Sequence, residues 1–136
     1  MRVLVDTGPL VALADRRDGK HETCKRWLRD FRGELMTTWA VLTEVAHLTP
    51  SVTAGIAILR WIREGGMEVL PLGEDELALA VDWMERYADR PMDLADASLI
   101  VAALKTGITA VWTLERSDFD VYRLPNRRRF RTVAMP

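Results

Sequence analysis

Cysteine is nearly absent from this chain: Cys24 is the only one among 136 residues. One sulfur can build neither an intramolecular disulfide nor a thiolate zinc site. Histidine is almost as scarce, with His21 and His47 alone. Any metal must therefore lean on carboxylates, which favour hard ions such as Mg²⁺ or Mn²⁺ over zinc. No apolar run reaches the roughly 18–20 residues of a membrane span. The opening stretch, Met1 to Asp6, is too short for a signal peptide and ends on an acid, so a cytoplasmic protein is expected. Net charge is lacking as well: 19 Lys and Arg against 20 Asp and Glu leave −1. No global basic field announces nucleic acid. Basic residues nevertheless crowd the C-terminal end, at Arg123, Arg127, Arg128, Arg129 and Arg131. They read either as a solvated face or as a patch that grips phosphates.

What is present is globular. Residues are 49% hydrophobic and 29% charged, far from the signature of disorder. The length suits one domain spanning 1–136. Arg2–Asp6 reads as a short buried strand. Thr7-Gly8-Pro9 reads as a turn, with Pro9 suited to the first turn of a helix over about Leu10–Asp15. Further helices are expected at about Lys20–Phe31, Ala40–Leu48, Val52–Arg63, Glu74–Ala88 and Asp93–Lys105. Gly107 stands where a left-handed C-cap belongs. Strands are expected at Leu35–Thr37, Met67–Leu72, Ala110–Thr113 and near Phe130–Ala134. Strands alternating with helices predict an α/β fold with a parallel sheet and helices on both faces. Ligands of such sheets bind outside the carboxyl ends of the strands.

That rule draws attention to the acids. Asp6 closes Val3-Leu4-Val5, where a charge must be hydrogen-bonded, paired or metal-bound. It reads either as a cap for the next helix or as a ligand. Asp6-Thr7-Gly8 also matches the active-site triplet of aspartic proteases, but those are nearly all β and this chain is rich in helix. Asp96 has Leu99, Ile100 and Ala103 at i+3, i+4 and i+7, so it projects from an apolar face. A metal would resolve that conflict, and so would hydrogen bonds to first-turn amides, since Asp93 and Asp96 are spaced like a capping box. Glu44 falls on the border between the apolar and polar arcs of its helix. Glu115 and Asp118 follow a strand in Thr113-Leu-Glu-Arg-Ser-Asp118 and read as loop acids able to lean over the same pocket. Gathered carboxylates repel one another, and divalent cations relieve that repulsion.

In order and spacing, Val3-Leu4-Val5-Asp6-Thr7, Thr43-Glu44-Val45, Met92-Asp93-Leu94-Ala95-Asp96-Ala97-Ser98-Leu99-Ile100 and Thr113-Leu114-Glu115-Arg116-Ser117-Asp118-Phe119 resemble the PIN-domain family. Within it they are most similar to the VapC-type toxins of toxin–antitoxin pairs. The resemblance covers essentially the whole chain. It implies a parallel five-stranded sheet flanked by helices and an endoribonuclease that depends on Mg²⁺ or Mn²⁺. Asp6, Glu44 and Asp96 match the family's first three acids. Glu115 holds the place of the fourth, usually Asp, so either Glu115 reaches in, Asp118 substitutes, or one ion binds alone. Thr7 and Asp93 are expected to support the pocket. Arg116, Arg127, Arg128 and Arg129 are expected to contact RNA phosphates. The family also implies a homodimer and an antitoxin that inserts into the acidic pocket. Five tryptophans, at positions 27, 39, 61, 83 and 112, are either all core or partly interface. Two rivals remain. A haloacid-dehalogenase-like phosphatase needs an acid where Gly8 stands, which argues against it. A PIN-like domain that binds RNA or a partner without cutting is kept open by Glu115.

Overall fold

The computed structural model describes residues 1–135. Five strands form one sheet: β1 (Arg2–Val5), β2 (Glu34–Thr37), β3 (Glu68–Val69), β4 (Ala110–Trp112) and β5 (Arg131–Thr132). All neighbours are parallel, in the order β3-β2-β1-β4-β5. The helices are α1 (Thr7–Ala14), α2 (His21–Asp30), α3 (Trp39–Leu48), α4 (Val52–Trp61), α5 (Glu74–Arg86), α6 (Leu94–Thr106) and α7 (Arg116–Val121). The expected parallel five-stranded α/β fold is the one observed. No helix among the described residues is long and apolar enough to cross a membrane.

The order of the strands decides where a ligand can sit. From β1 the chain moves outward to β2 and β3, then crosses back to place β4 on the other side of β1. The crevice at such a reversal opens between the carboxyl ends of the two adjacent strands. Here those are β1 and β4, with Leu4 opposite Val111 and Val5 opposite Trp112. Asp6 and Thr113 are the residues that follow.

Packing explains why this centre is rigid. Val3, Leu4 and Val5 are completely buried, as are Val111 and Trp112. Such continuous apolar runs belong to strands covered on both faces. Trp27 of α2 stacks on Trp112 with ring centroids 4.1 Å apart and on Phe31 at 4.8 Å. Helix α6 is buried along most of its length, from Ala95 to Ala103, and Gly107 ends it at φ +77° in the left-handed region. Gly33 precedes β2 at φ +147°, where a Cβ would lie 2.1 Å from the Met1 carbonyl oxygen, so only glycine fits.

Several boundaries differ from expectation. Thr7 and Gly8 form the first turn of α1 rather than a turn before it, because Pro9, having no N–H to lose, is accommodated there. Strand β3 shrinks to two residues, since Pro71 cannot continue the ladder. The regular part of α4 ends at Trp61, and a wider turn over Ile62–Gly66 follows, closed by Gly65 at φ +106°. The segment expected as a loop after β4 forms α7, pinned by fully buried Phe119 and Tyr122. The apolar stripe of α5 is only partly covered: Ala80 and Trp83 are buried, whereas Leu77 and Val81 face outward. Of the tryptophans, Trp83 and Trp112 are core, Trp27 and Trp61 are partly covered, and Trp39 stands 73% exposed.

Candidate active site

Asp6, Thr7, Glu44, Asp93, Asp96, Glu115 and Asp118 line one cavity of about 350 Å³ at the carboxyl ends of β1 and β4. The structure thus brings all six of the sequence-singled acids together. Asp18, which the sequence did not single out, also lines it. Three helices begin here: Asp6, Asp93 and Glu115 occupy the N-cap positions of α1, α6 and α7. Helix N-termini favour negative charge, so the scaffold offsets part of the repulsion it creates.

The acids have different partners. Asp6 is buried, yet its side chain does not cap α1. Its Oδ2 instead accepts a hydrogen bond from the Thr113 hydroxyl at 2.7 Å. Thr113, itself fully buried, accepts from the Glu115 N–H at 2.9 Å, so the turn after β4 orients the hydroxyl. Asp96 projects from the first turn of α6 and accepts from the Tyr122 hydroxyl at 2.7 Å. Asp93 does act as a cap, its carboxylate accepting the Asp96 N–H at 2.8 Å. Glu44 is half-buried on α3. Helices α3 and α6 are tied where they cross: Thr38 caps α3 and is 2.6 Å from the Ser98 hydroxyl. Asp118 is engaged by Arg90, whose Nη2 and Nε donate to Oδ1 at 2.8 and 3.3 Å.

The electrostatics follow from this crowding. Burial pushes the Asp6 carboxyl above its ordinary range, and the charges of Asp93 and Glu115 add to that. The Thr113 hydroxyl and the Thr7 amide pull it partly back. Asp96 is pushed up to about 7, first by burial and then by Asp6, Asp93 and Asp118, against the opposing Tyr122 hydrogen bond. Glu44 is raised by burial, lowered by the nearby Thr7 hydroxyl, and raised again by Asp93 and Asp6. A set of acids in one cleft with raised pKa values is the mark of a site prepared for a cation or a proton.

The residues fit a hard divalent ion. The donors are all oxygen, and Thr7 Oγ1 is a buried atom with no hydrogen-bond partner of good geometry. Among the described residues no group of three or more His, Cys, Asp or Glu side chains is placed to hold an ion together. Mg²⁺ does not require one, because it keeps several waters and is commonly held by one or two carboxylates.

The arginines divide otherwise than expected. Arg116, Arg127, Arg128 and Arg129 are exposed, and none lines the cavity. Arg116 bonds the Thr132 hydroxyl at 3.2 Å. The cation that does reach an acid of the cavity is Arg90. Sequence reasoning also missed the two hydroxyl donors, Thr113 and Tyr122. Thr113 carried a readable signal, since it ends an apolar strand just as Asp6 does. Tyr122 carried none.

The chain is 25% identical over 134 residues to Ribonuclease VapC26 of Mycobacterium tuberculosis, an alignment covering 96% of this chain and 99% of that protein. The crystal structure of Mycobacterium tuberculosis VapC20, described as a sarcin-ricin loop cleaving toxin, is similar with a TM-score of 0.75 and 25% identity. That match covers 83% of this chain and 89% of the other. A family model for the PIN domain matches residues 3–124, from the first core residue of β1 to the end of the segment that carries Tyr122, and the chain therefore belongs to the PIN domain family.

Proposed function

We propose that this protein is an endoribonuclease dependent on Mg²⁺ or Mn²⁺, and the toxin of a VapC-type toxin–antitoxin pair. The observation that carries the proposal is that Asp6, Glu44 and Asp96, all with raised pKa values, line one cavity at the carboxyl ends of β1 and β4. The similarity to proteins described as a ribonuclease and a sarcin-ricin loop cleaving toxin supports the choice of substrate.

Asp6 and Asp96 would hold the ion, with help from Glu44. When bound, the ion supplies Lewis acidity toward a phosphodiester and a lower pKa for an attacking water. The chain's own groups do the rest. Thr113 fixes the Asp6 carboxylate through Oδ2. Thr7 offers its unpartnered hydroxyl beside Asp6 and Glu44. Glu115 is the better candidate for a fourth acid, because Asp118 is already engaged by Arg90. Arg90, Arg116 and the arginines at 127, 128 and 129 are candidates for RNA phosphates, which add affinity without reading sequence.

Partners follow from the same reading. Trp39 is exposed between two apolar grooves of about 340 and 620 Å³, one beside α5 and α6, the other beside α4. Exposed apolar patches of this kind mark protein contacts. They support a homodimer and an antitoxin partner. On this reading the protein acts in the cytoplasm.

The test is direct. Purified protein with structured RNA and Mg²⁺ is expected to give fragments with 5′-phosphate and 3′-hydroxyl ends, with EDTA abolishing cleavage and Mn²⁺ restoring it. A generic phosphomonoester is expected to remain intact. Binding of RNA without cleavage under either metal would overturn the proposal in favour of a non-cutting PIN-like domain.

A further inference from the structure

Asp6 and Asp96 are held in matching ways. In each carboxylate Oδ2 accepts a hydroxyl at 2.7 Å, from Thr113 in one case and Tyr122 in the other. Among the described residues, Asp96 Oδ1 accepts no hydrogen bond from a side chain or a neighbouring amide, and Asp96 lines the cavity.

Tyr122 is unusually well fixed for this task. It is completely buried at the end of α7. Its ring meets Tyr87 edge-on with centroids 5.2 Å apart and Phe119 at 5.4 Å. Tyr87 is locked in turn, because its hydroxyl accepts the Arg123 N–H at 2.9 Å. The phenol therefore stands on a wall built from the ends of α5 and α7, and only its oxygen reaches Asp96. Among the described residues, Asp96 has no second side-chain donor. Without Tyr122 its carboxylate would be free to turn about χ2 and to swing away from Asp6 and Asp93, which repel it.

We infer that Tyr122 is a positioning residue for metal binding: its hydroxyl fixes Asp96 through Oδ2 so that Oδ1 is presented to the ion. The inference rests on the proposed metal site. Groups that orient a ligating carboxylate commonly change metal affinity by about 10–100-fold when removed.

The test uses Tyr122→Phe, which keeps the ring and its packing and loses only the hydroxyl. Tyr87→Phe is the control, since it also loses one half-buried, hydrogen-bonded hydroxyl on the same wall without touching Asp96. Mn²⁺ is titrated into each protein by calorimetry, and urea midpoints are read alongside. Tyr122→Phe is expected to bind Mn²⁺ about 10-fold or more weakly, with its Mg²⁺ requirement for RNA cleavage raised and the rate at saturating Mg²⁺ less affected. Tyr87→Phe is expected to bind like wild type. In an Asp96→Asn background, Tyr122→Phe is expected to add nothing. Equal Mn²⁺ affinity in wild type and Tyr122→Phe would overturn the positioning role while leaving the metal site standing. Loss of fold in Tyr122→Phe would overturn it too, because a positioning hydroxyl is dispensable for packing. Absence of Mn²⁺ binding in wild type would overturn both readings.

Discussion

Asp6→Asn is expected to abolish metal-dependent RNA cleavage while leaving the protein folded. The carboxylate is buried, adjoins the strand reversal, and is oriented by Thr113. A bound ion contributes several kcal/mol of transition-state charge stabilisation. At about 1.4 kcal/mol per decade, its loss corresponds to a fall of roughly 10³-fold in rate. Stability should move the other way. Asp6 is a buried acid facing Asp93 and Glu115, so in metal-free protein its charge is unfavourable. An amide of the same shape removes that charge and can still accept from Thr113. The urea midpoint in EDTA is expected to equal or exceed that of wild type. A variant that cleaves at the wild-type rate would remove Asp6 from the mechanism, and one that unfolds would make it structural.

Metal-free protein is expected to lose stability as pH rises from about 4 to about 7. The sign follows from the direction of the shifts. Asp96 is raised from 3.8 to about 7, so between those values the folded state binds the proton that the unfolded state has released. Stability then falls with pH. Its contribution is fully present below about 4 and gone above about 7. The shift corresponds to about 4 kcal/mol. The group is partly open to solvent, so screening leaves about 2–3 kcal/mol. For a domain of this size that is a drop of roughly 10 °C in Tm. Asp6 and Glu44 are raised too and act in the same direction. Asp96→Asn is expected to flatten the dependence. Saturating Mg²⁺ selects the ionised carboxylates, so the stabilisation it adds should grow from pH 5 to pH 8. A metal-free Tm that rises over this range in wild type and in Asp96→Asn alike would show that burial and its acidic neighbours do not raise Asp96 as described.

The parts of this molecule that were legible share a physical cause. Strands β1 and β4 are short apolar runs, because both faces are covered, and each is followed by a polar residue, Asp6 or Thr113, at the same edge of the sheet. Helix α6 has its cap at Asp93 and its stop at Gly107, so its limits are written locally. Asp96 was legible because a charge among Leu99, Ile100 and Ala103 contradicts its surroundings. Other features depend on contacts distant in sequence. Helix α7 has six residues and no side-chain cap, so nothing local announces it; burial of Phe119 and Tyr122 holds it. The Tyr122 hydroxyl meets Asp96 across 26 residues, and the Thr113 hydroxyl meets Asp6 across 107. No spacing rule reaches that far. Arg90 was overlooked for the opposite reason: the denser basic run at 127–129 drew attention to a surface that does not line the cavity. Glu44 sits between these cases. Its border position on α3 matches its half-buried state, while its neighbours in the cavity come from α1 and α6.

The central claim is that Asp6 and Asp96 together form a divalent-metal site. It is tested most directly by calorimetric titration of Mn²⁺ into wild type and into the Asp6→Asn Asp96→Asn double variant, both shown to be folded, at a pH above 7. Saturable binding by wild type and its loss in the double variant is the predicted result. Equal binding by both proteins, or none by wild type, would contradict the account.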